Sequence, residues 1–277
     1  MQCAAPLARC AADRSRIMML KMIMRYTVFF FPLFLCAWNI DPGDMLKRFE
    51  ARIFQSKSRS SIPYRLLIPN HYRHSGRYPL VLFLHGSDER GTDNAKQLFV
   101  GLNIFADEKK MNVYPCFIAA PQCPPDMKWT DTDWKAERHI MAAEPTPALA
   151  MSIELIGSLL KEYSIDDKRI YVVGYSMGGF GVWEAIERWP ELFAAAVPVC
   201  GGGDERNAHR IMHIPIWVFH GARDRIVSVR QSQNMVHAVV RAGGVPRYTE
   251  YPTVNHYSWV LAFSDPRMFE WLFSQKK

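Results

Sequence analysis

The chain has 277 residues, 49% of them apolar and 22% charged, a globular composition that excludes intrinsic disorder, a collagen-like repeat and a polytopic membrane protein. Its formal charge is +7, but residues 1–25 hold Arg9, Arg14, Arg16, Lys21 and Arg25 against Asp13 alone, so the rest of the chain carries only about +3. No dense Lys/Arg run interleaved with aromatics follows, which argues against nucleic acid as a partner.

The first 40 residues read as an address. After the basic stretch, Tyr26 to Trp38 is uncharged and rich in Phe, Leu and Val. A spanning helix needs about 20 apolar residues, and Arg25 and Lys21 stop this run short, so a signal-peptide core fits better than a permanent span. The alternative is an uncleaved anchor, because Leu35 sits where a cut prefers a small residue. A start at Met22 or Met24 would make the segment a more ordinary signal peptide. Residues 1–40 are therefore expected to be a signal peptide or N-terminal anchor. The protein is expected to be exported, touching a membrane only through that segment. Beyond the leader lie three cysteines, Cys116, Cys123 and Cys200, none in CxxC spacing. They suit a Cys116–Cys123 disulfide or buried thiols, and no metal is expected.

From about residue 50, apolar runs of strand length alternate with amphipathic stretches. Strands are expected near 50–55, 63–68, 79–84, 113–119, 169–174, 193–199, 214–219 and 246–251, and helices near 94–108, 147–163, 177–189 and 228–242. The runs Pro79–Leu84, Ile170–Val173 and Ile214–Phe219 are continuously apolar, as parallel strands covered on both faces must be. The alternation predicts an α/β sheet with right-handed crossovers. Residues 122–146 form a long loop with Trp129 and Trp134, of a length that is usually functional.

Chemistry concentrates at Gly174-Tyr175-Ser176-Met177-Gly178, a G-x-S-x-G between a strand and a helix. A sharp turn there would hold Ser176 strained, with its Oγ exposed and the Met177 amide near a developing oxyanion. A serine hydroxyl needs a base, and the expected chain order is Ser, acid, His. His256, in a loop after the last strand, is preferred to His237 on a helix face. Asp224, after the run IPIWVF, is the expected acid, with Asp204 as its rival. His85-Gly86 closes an early strand, so Gly86 or Ser87 is expected to supply the second oxyanion amide, and His85 to bond nearby backbone.

These residues together resemble the α/β-hydrolase superfamily, in the branch of predicted peptidases and phospholipase/carboxylesterase-like proteins. That branch is akin to polyhydroxybutyrate-depolymerase-like and feruloyl-type esterases. LHGSDERGTDN, APQCP followed by Trp129, DDKRIYVVGYSMGGFGVW, HGARDRIVSV and YPTVNHYSW stand in the order those proteins show, over roughly residues 50–275. The resemblance implies the triad Ser176, Asp224 and His256, no cofactor, and ester hydrolysis through an acyl-enzyme. It also implies an eight-stranded, mostly parallel α/β-hydrolase fold over residues 41–277. The stretch from Gly201 to His213 is too short for a cap domain. An open cleft walled by Trp129 and Trp134, with Tyr175 beside the serine, would suit short acyl groups on a small or polymer-borne alcohol such as a carbohydrate. Equally, both tryptophans would simply anchor the loop. A peptidase of the same fold and a non-catalytic binding module are the alternatives.

Overall fold

The computed structural model describes residues 42–277, so the expected leader lies outside the described residues. Among them eight strands form one sheet: β1 (Phe49–Gln55), β2 (Ser61–Leu67), β3 (Tyr78–Leu84), β4 (Phe117–Pro121), β5 (Ile165–Tyr175), β6 (Ala195–Val199), β7 (Trp217–Gly221) and β8 (Arg247–Tyr251). The order is β1-β2-β4-β3-β5-β6-β7-β8. β2 pairs antiparallel with β1 and β4, and every later pairing is parallel. This is the mostly parallel eight-stranded sheet that the apolar runs imply.

Helices cover both faces because β3 alternates its side chains between them. Leu80, Leu82 and Leu84 enter a core shared with α4 (Pro147–Glu162), α5 (Met177–Arg188) and α7 (Val229–Arg241). Phe83 faces the other way, its ring centroid 5.7 Å from Phe105 and 5.6 Å from Phe263. α4 begins with Thr146 accepting the Leu149 amide and a proline in the first turn, where its missing N–H costs nothing. Between β6 and β7 lie only a 3-10 turn (Glu205–Asn207) and the one-turn helix α6 (Ala208–Ile211), as the length of that connection predicts.

Of the expected boundaries that move, three do so for clear local reasons. The helix expected at 94–108 breaks into a 3-10 turn (Lys96–Leu98) and the short helix α2 (Leu102–Phe105). Gly101 stands between them at φ +66°, and a Cβ there would lie 2.7 Å from the Tyr175 ring. The strand expected from 113 begins at Phe117, because Asp107 accepts the Lys109 and Lys110 amides and starts α3 (Glu108–Val113) instead. The strand expected from 214 begins at Trp217, leaving Ile216 an isolated bridge to Ala196. Helices α1 (Pro42–Arg48), α8 (Ser258–Ala262) and α9 (Pro266–Ser274), none longer than nine residues, lie outside the expected set.

Two glycines of opposite circumstance test this packing. A Cβ on Gly178 would run into the Leu84 carbonyl, whereas one on Gly157, exposed in α4, meets nothing within 4 Å. Urea unfolding should therefore find Gly178→Ala destabilised by about 3 kcal/mol or more. Gly157→Ala should gain about 0.5–1 kcal/mol.

Candidate active site

β5 runs directly into α5, and the turn between them is Ser176 at φ +54°, ψ −123°, a conformation that L side chains rarely adopt. Its amide donates to the Val199 carbonyl on β6, at 2.9 Å. Close approach holds it there. A Cβ on Gly174 would lie 2.7 Å from both the Gly178 and Leu84 carbonyls. Met177 is the first residue of α5, so its N–H has no intrahelical acceptor and points out at the positive end of the helix.

The loops after β7 and β8 bring two partners to this turn. His256 Nε2 is 2.8 Å from Ser176 Oγ, and Nδ1 is 2.7 Å from Asp224 Oδ2. A carboxylate only accepts, so Nδ1 carries the proton and Nε2 accepts from the serine hydroxyl. Ser176 and His256 keep 9% and 8% of their surface exposed, and the Asp224 side chain keeps none. Burial disfavours the Asp224 charge, yet hydrogen bonds from His220 and His256 hold its carboxyl far below the usual range. Burial likewise works against a charged His256, but the Asp224 carboxylate and the Cys200 sulfur more than offset it and raise the imidazole pKa. Cys200, Asp224 and His256 each offer a ligand atom within 4.8 Å of the others. Two of these three are already bonded to each other.

His220, on β7, was not among the expected site residues. Its Nε2 faces two acceptors, Asp224 Oδ2 at 3.2 Å and the Val227 carbonyl at 3.0 Å, and so donates to both. Its Nδ1 is 2.8 Å from Ser232 Oγ. The only signal in the sequence is its spacing of four residues before Asp224, which has no meaning until the turn after β7 is known. Asp224 Oδ1 meanwhile accepts the Ile226 and Val227 amides, so with His220 the carboxylate has three partners besides His256.

The rivals sit elsewhere. Asp204 caps the turn that follows β6, accepts two bonds from the Arg206 guanidinium and takes the Met141 amide. His237 is exposed on α7. Of the two expected second oxyanion donors, Gly86 has its backbone close enough to the buried Glu89 carboxyl to favour its charged form, while the Ser87 amide makes no hydrogen bond among the described residues. His85 bonds backbone as expected: Nδ1 donates to the Gly86 carbonyl at 2.6 Å, and Nε2 accepts the Cys123 amide at 2.9 Å. Burial lowers its pKa to about 4, so it stays neutral.

Neither expected substrate contact offers a surface. Trp129 is fully buried, its indole donating to the His85 carbonyl at 2.9 Å, so it anchors the loop. Tyr175 is 2% exposed and donates to Glu89 Oε2 at 2.7 Å, with its ring packed on Trp259. Trp134 is partly buried, with the Lys128 ammonium over its ring. Cys116, Cys123 and Cys200 are all buried and unpaired.

The sheet, the strained strand-to-helix serine and the order of its two partners define the α/β-hydrolase fold. Within it, residues 126–260 match the Dienelactone hydrolase family. A thermostable esterase of known structure superposes with a TM-score of 0.78 at 42% identity, over 84% of this chain and 64% of that one. The bifunctional acetylxylan esterase/xylanase XynS20E of Neocallimastix patriciarum is 27% identical over 192 residues, which is 65% of this chain and 26% of that protein. An uncharacterized secreted protein of Arthroderma benhamiae is 24% identical over 221 residues, or 69% of this chain and 22% of that one. The chain thus spans about a quarter of the curated relatives it matches.

Trp129→Phe separates an anchor from a cleft wall. Losing the indole donor leaves the buried His85 carbonyl without that bond, and urea unfolding should show a loss of about 1–2 kcal/mol. A wall residue would change stability by less than about 0.5 kcal/mol.

Proposed function

We propose that the chain is a serine carboxylesterase, cleaving short acyl groups from carbohydrate-type alcohols through an acyl-enzyme. The observation that carries this reading is the continuous hydrogen-bond chain Ser176–His256–Asp224 at a strained strand-to-helix turn. The acetylxylan esterase among the relatives supports the saccharide ester, and the esterase of known structure supports the reaction class.

In this mechanism Ser176 Oγ attacks the ester carbonyl while its proton passes to His256 Nε2. Asp224 stabilises the imidazolium that forms. The oxyanion accepts from the Met177 and Ser87 amides, which cost no reorganisation because the backbone already fixes them. His256 then protonates the leaving alcohol oxygen as the C–O bond breaks. A water molecule, deprotonated by the same imidazole, attacks the acyl carbon; the acid departs and Ser176 recovers its proton. His220 positions the carboxylate without touching substrate. The apolar leader sequence and the secreted relative support export.

Ser176→Ala should abolish fluorophosphonate labelling and lower p-nitrophenyl acetate turnover by about 10⁴-fold or more. Undiminished turnover would remove the assignment. Asp224→Asn should cost kcat about 10⁴-fold, whereas Asp204→Asn should lower unfolding stability with kcat nearly intact; a larger kcat loss at Asp204 would reverse the two roles. Matched ester and amide substrates test the peptidase reading, and the ester is expected to react faster.

The pH profile follows from the same contacts. Protonated His256 cannot accept the serine proton, and its pKa is raised, so kcat/KM should fall on the acid side at a pH above the ordinary imidazole value of about 6.5. Removing the Asp224 charge removes a cause of the rise, so the residual activity of Asp224→Asn should lose that limb at a lower pH.

A further inference from the structure

A cavity of about 570 Å³ opens beside the Ser–His–Asp array, between the long loop and the start of α7. One wall is residues 134–138, and the other is the turn that carries Asp224 together with the first residues of the helix. Its boundary is fixed on both sides. The Gln231 side-chain amide donates to the Ala136 carbonyl, the Met141 amide donates to Asp204, and Arg188 holds the Ala142 and Ala143 carbonyls.

The charge on these walls is of one sign. Lys135, Arg138, Arg225 and Arg230 line the cavity, all exposed, and among the described residues none of the four makes an ion pair. Glu137 and Asp224 are the only carboxylates in the lining, and the Asp224 side chain is fully buried between two histidines. The nearby Asp133 carboxylate is turned back onto the Lys135 amide. Four cations face one free carboxylate, in a concavity at the positive end of a 13-residue helix. The mild net charge of the body does not produce this; the fold gathers it from two segments about ninety residues apart.

We propose that this cavity binds a carboxylate on the alcohol side of the substrate, so that the enzyme acts on esters of an acidic saccharide bearing a uronosyl residue. The proposal rests on the esterase reading. The turn that carries Asp224 lines the cavity, and Asp224 is joined through His256 to Ser176 Oγ, so the cavity adjoins the catalytic array. Guanidinium groups suit it, since each can grip a carboxylate through two parallel N–H donors. A cavity of this volume holds a short saccharide.

The test compares acetylated glucuronoxylan oligosaccharides with the same material after its carboxylates have been reduced to alcohols. The acidic form should have a kcat/KM about tenfold higher, expressed in KM, and about 0.5 M NaCl should collapse the ratio towards one. The double variant Arg138→Ala/Arg230→Ala should bring the same collapse at low salt. The ratio is internal to each protein, so a general loss of activity in the variant cancels. Equal constants for the two substrates overturn the proposal, and so does a preference that survives in the double variant. If neither saccharide nor p-nitrophenyl acetate reacts and Ser176 resists labelling, it is the esterase reading that fails. The cavity is then tested by calorimetry on the intact chain. Salt-sensitive binding of a glucuronate oligosaccharide supports it, and no binding, or tighter binding of a single-stranded oligonucleotide, overturns it.

Discussion

The close approach of one helix to two strands governs this molecule. α5 presses its first turn against the ends of β3 and β6, and glycine at 174, 178 and 179 leaves no side chain between backbone and backbone. The Ser176 amide is tied to Val199, and the strained φ of the serine is the geometric result. Everything else at the site is placed relative to that turn. The parallel order β5-β6-β7-β8 delivers the loops bearing Asp224 and His256 to the same end of the sheet. Loops at the carboxyl ends of parallel strands are where such sheets assemble their sites.

Around this turn the protein buries several polar side chains and gives most of them fixed partners. His85 bridges the end of β3 to the start of the long loop, and Trp129 locks onto the same residue from the other side. Glu89 and Tyr175 share a short hydrogen bond behind the serine, where burial raises the carboxyl pKa. Glu187 takes the Asp204 amide with one oxygen, while its other has no hydrogen-bond partner, and burial beside other carboxylates pushes its pKa well upward. Such groups are costly to bury unpaired, so each contact specifies where a loop must lie. The long loop is held by His85, Arg90, Arg188, Asp204 and Gln231 and forms a wall beside the array.

The parts of the site that were legible in the sequence are those whose chemistry is local. A serine between two glycines, after a strand and before a helix, announces its turn without any tertiary knowledge. His256 and Asp224 follow from strand ends and chain order. What could not be read depends on distance. Trp129 reads equally as a cleft wall or a loop anchor until its indole is seen to reach a carbonyl 44 residues away. Gly101 falls inside the helix expected over 94–108, and the break there becomes visible only when the Tyr175 ring is seen to occupy the space a side chain would need. His220 and Ser232 are separated by a turn and a helical start, and their support of Asp224 exists only once both are formed. The four cations of the cavity are likewise dispersed in sequence, and composition averages them away.

The margins of the sheet carry a consequence of another kind. Among the described residues, β1 and β8 each leave one row of backbone groups without a neighbouring strand, the arrangement through which separate molecules can join into extended sheets. Along β1, Arg52 is drawn into bonds with Glu50, Glu162 and Tyr163. Along β8, the Arg247 guanidinium lies over the Trp217 and Trp271 rings, and Glu250 accepts from Tyr248 and Gln233. A strand arriving from another molecule would have to strip water from these charges and displace their partners. The same side chains that finish the fold at its borders therefore oppose strand-by-strand aggregation.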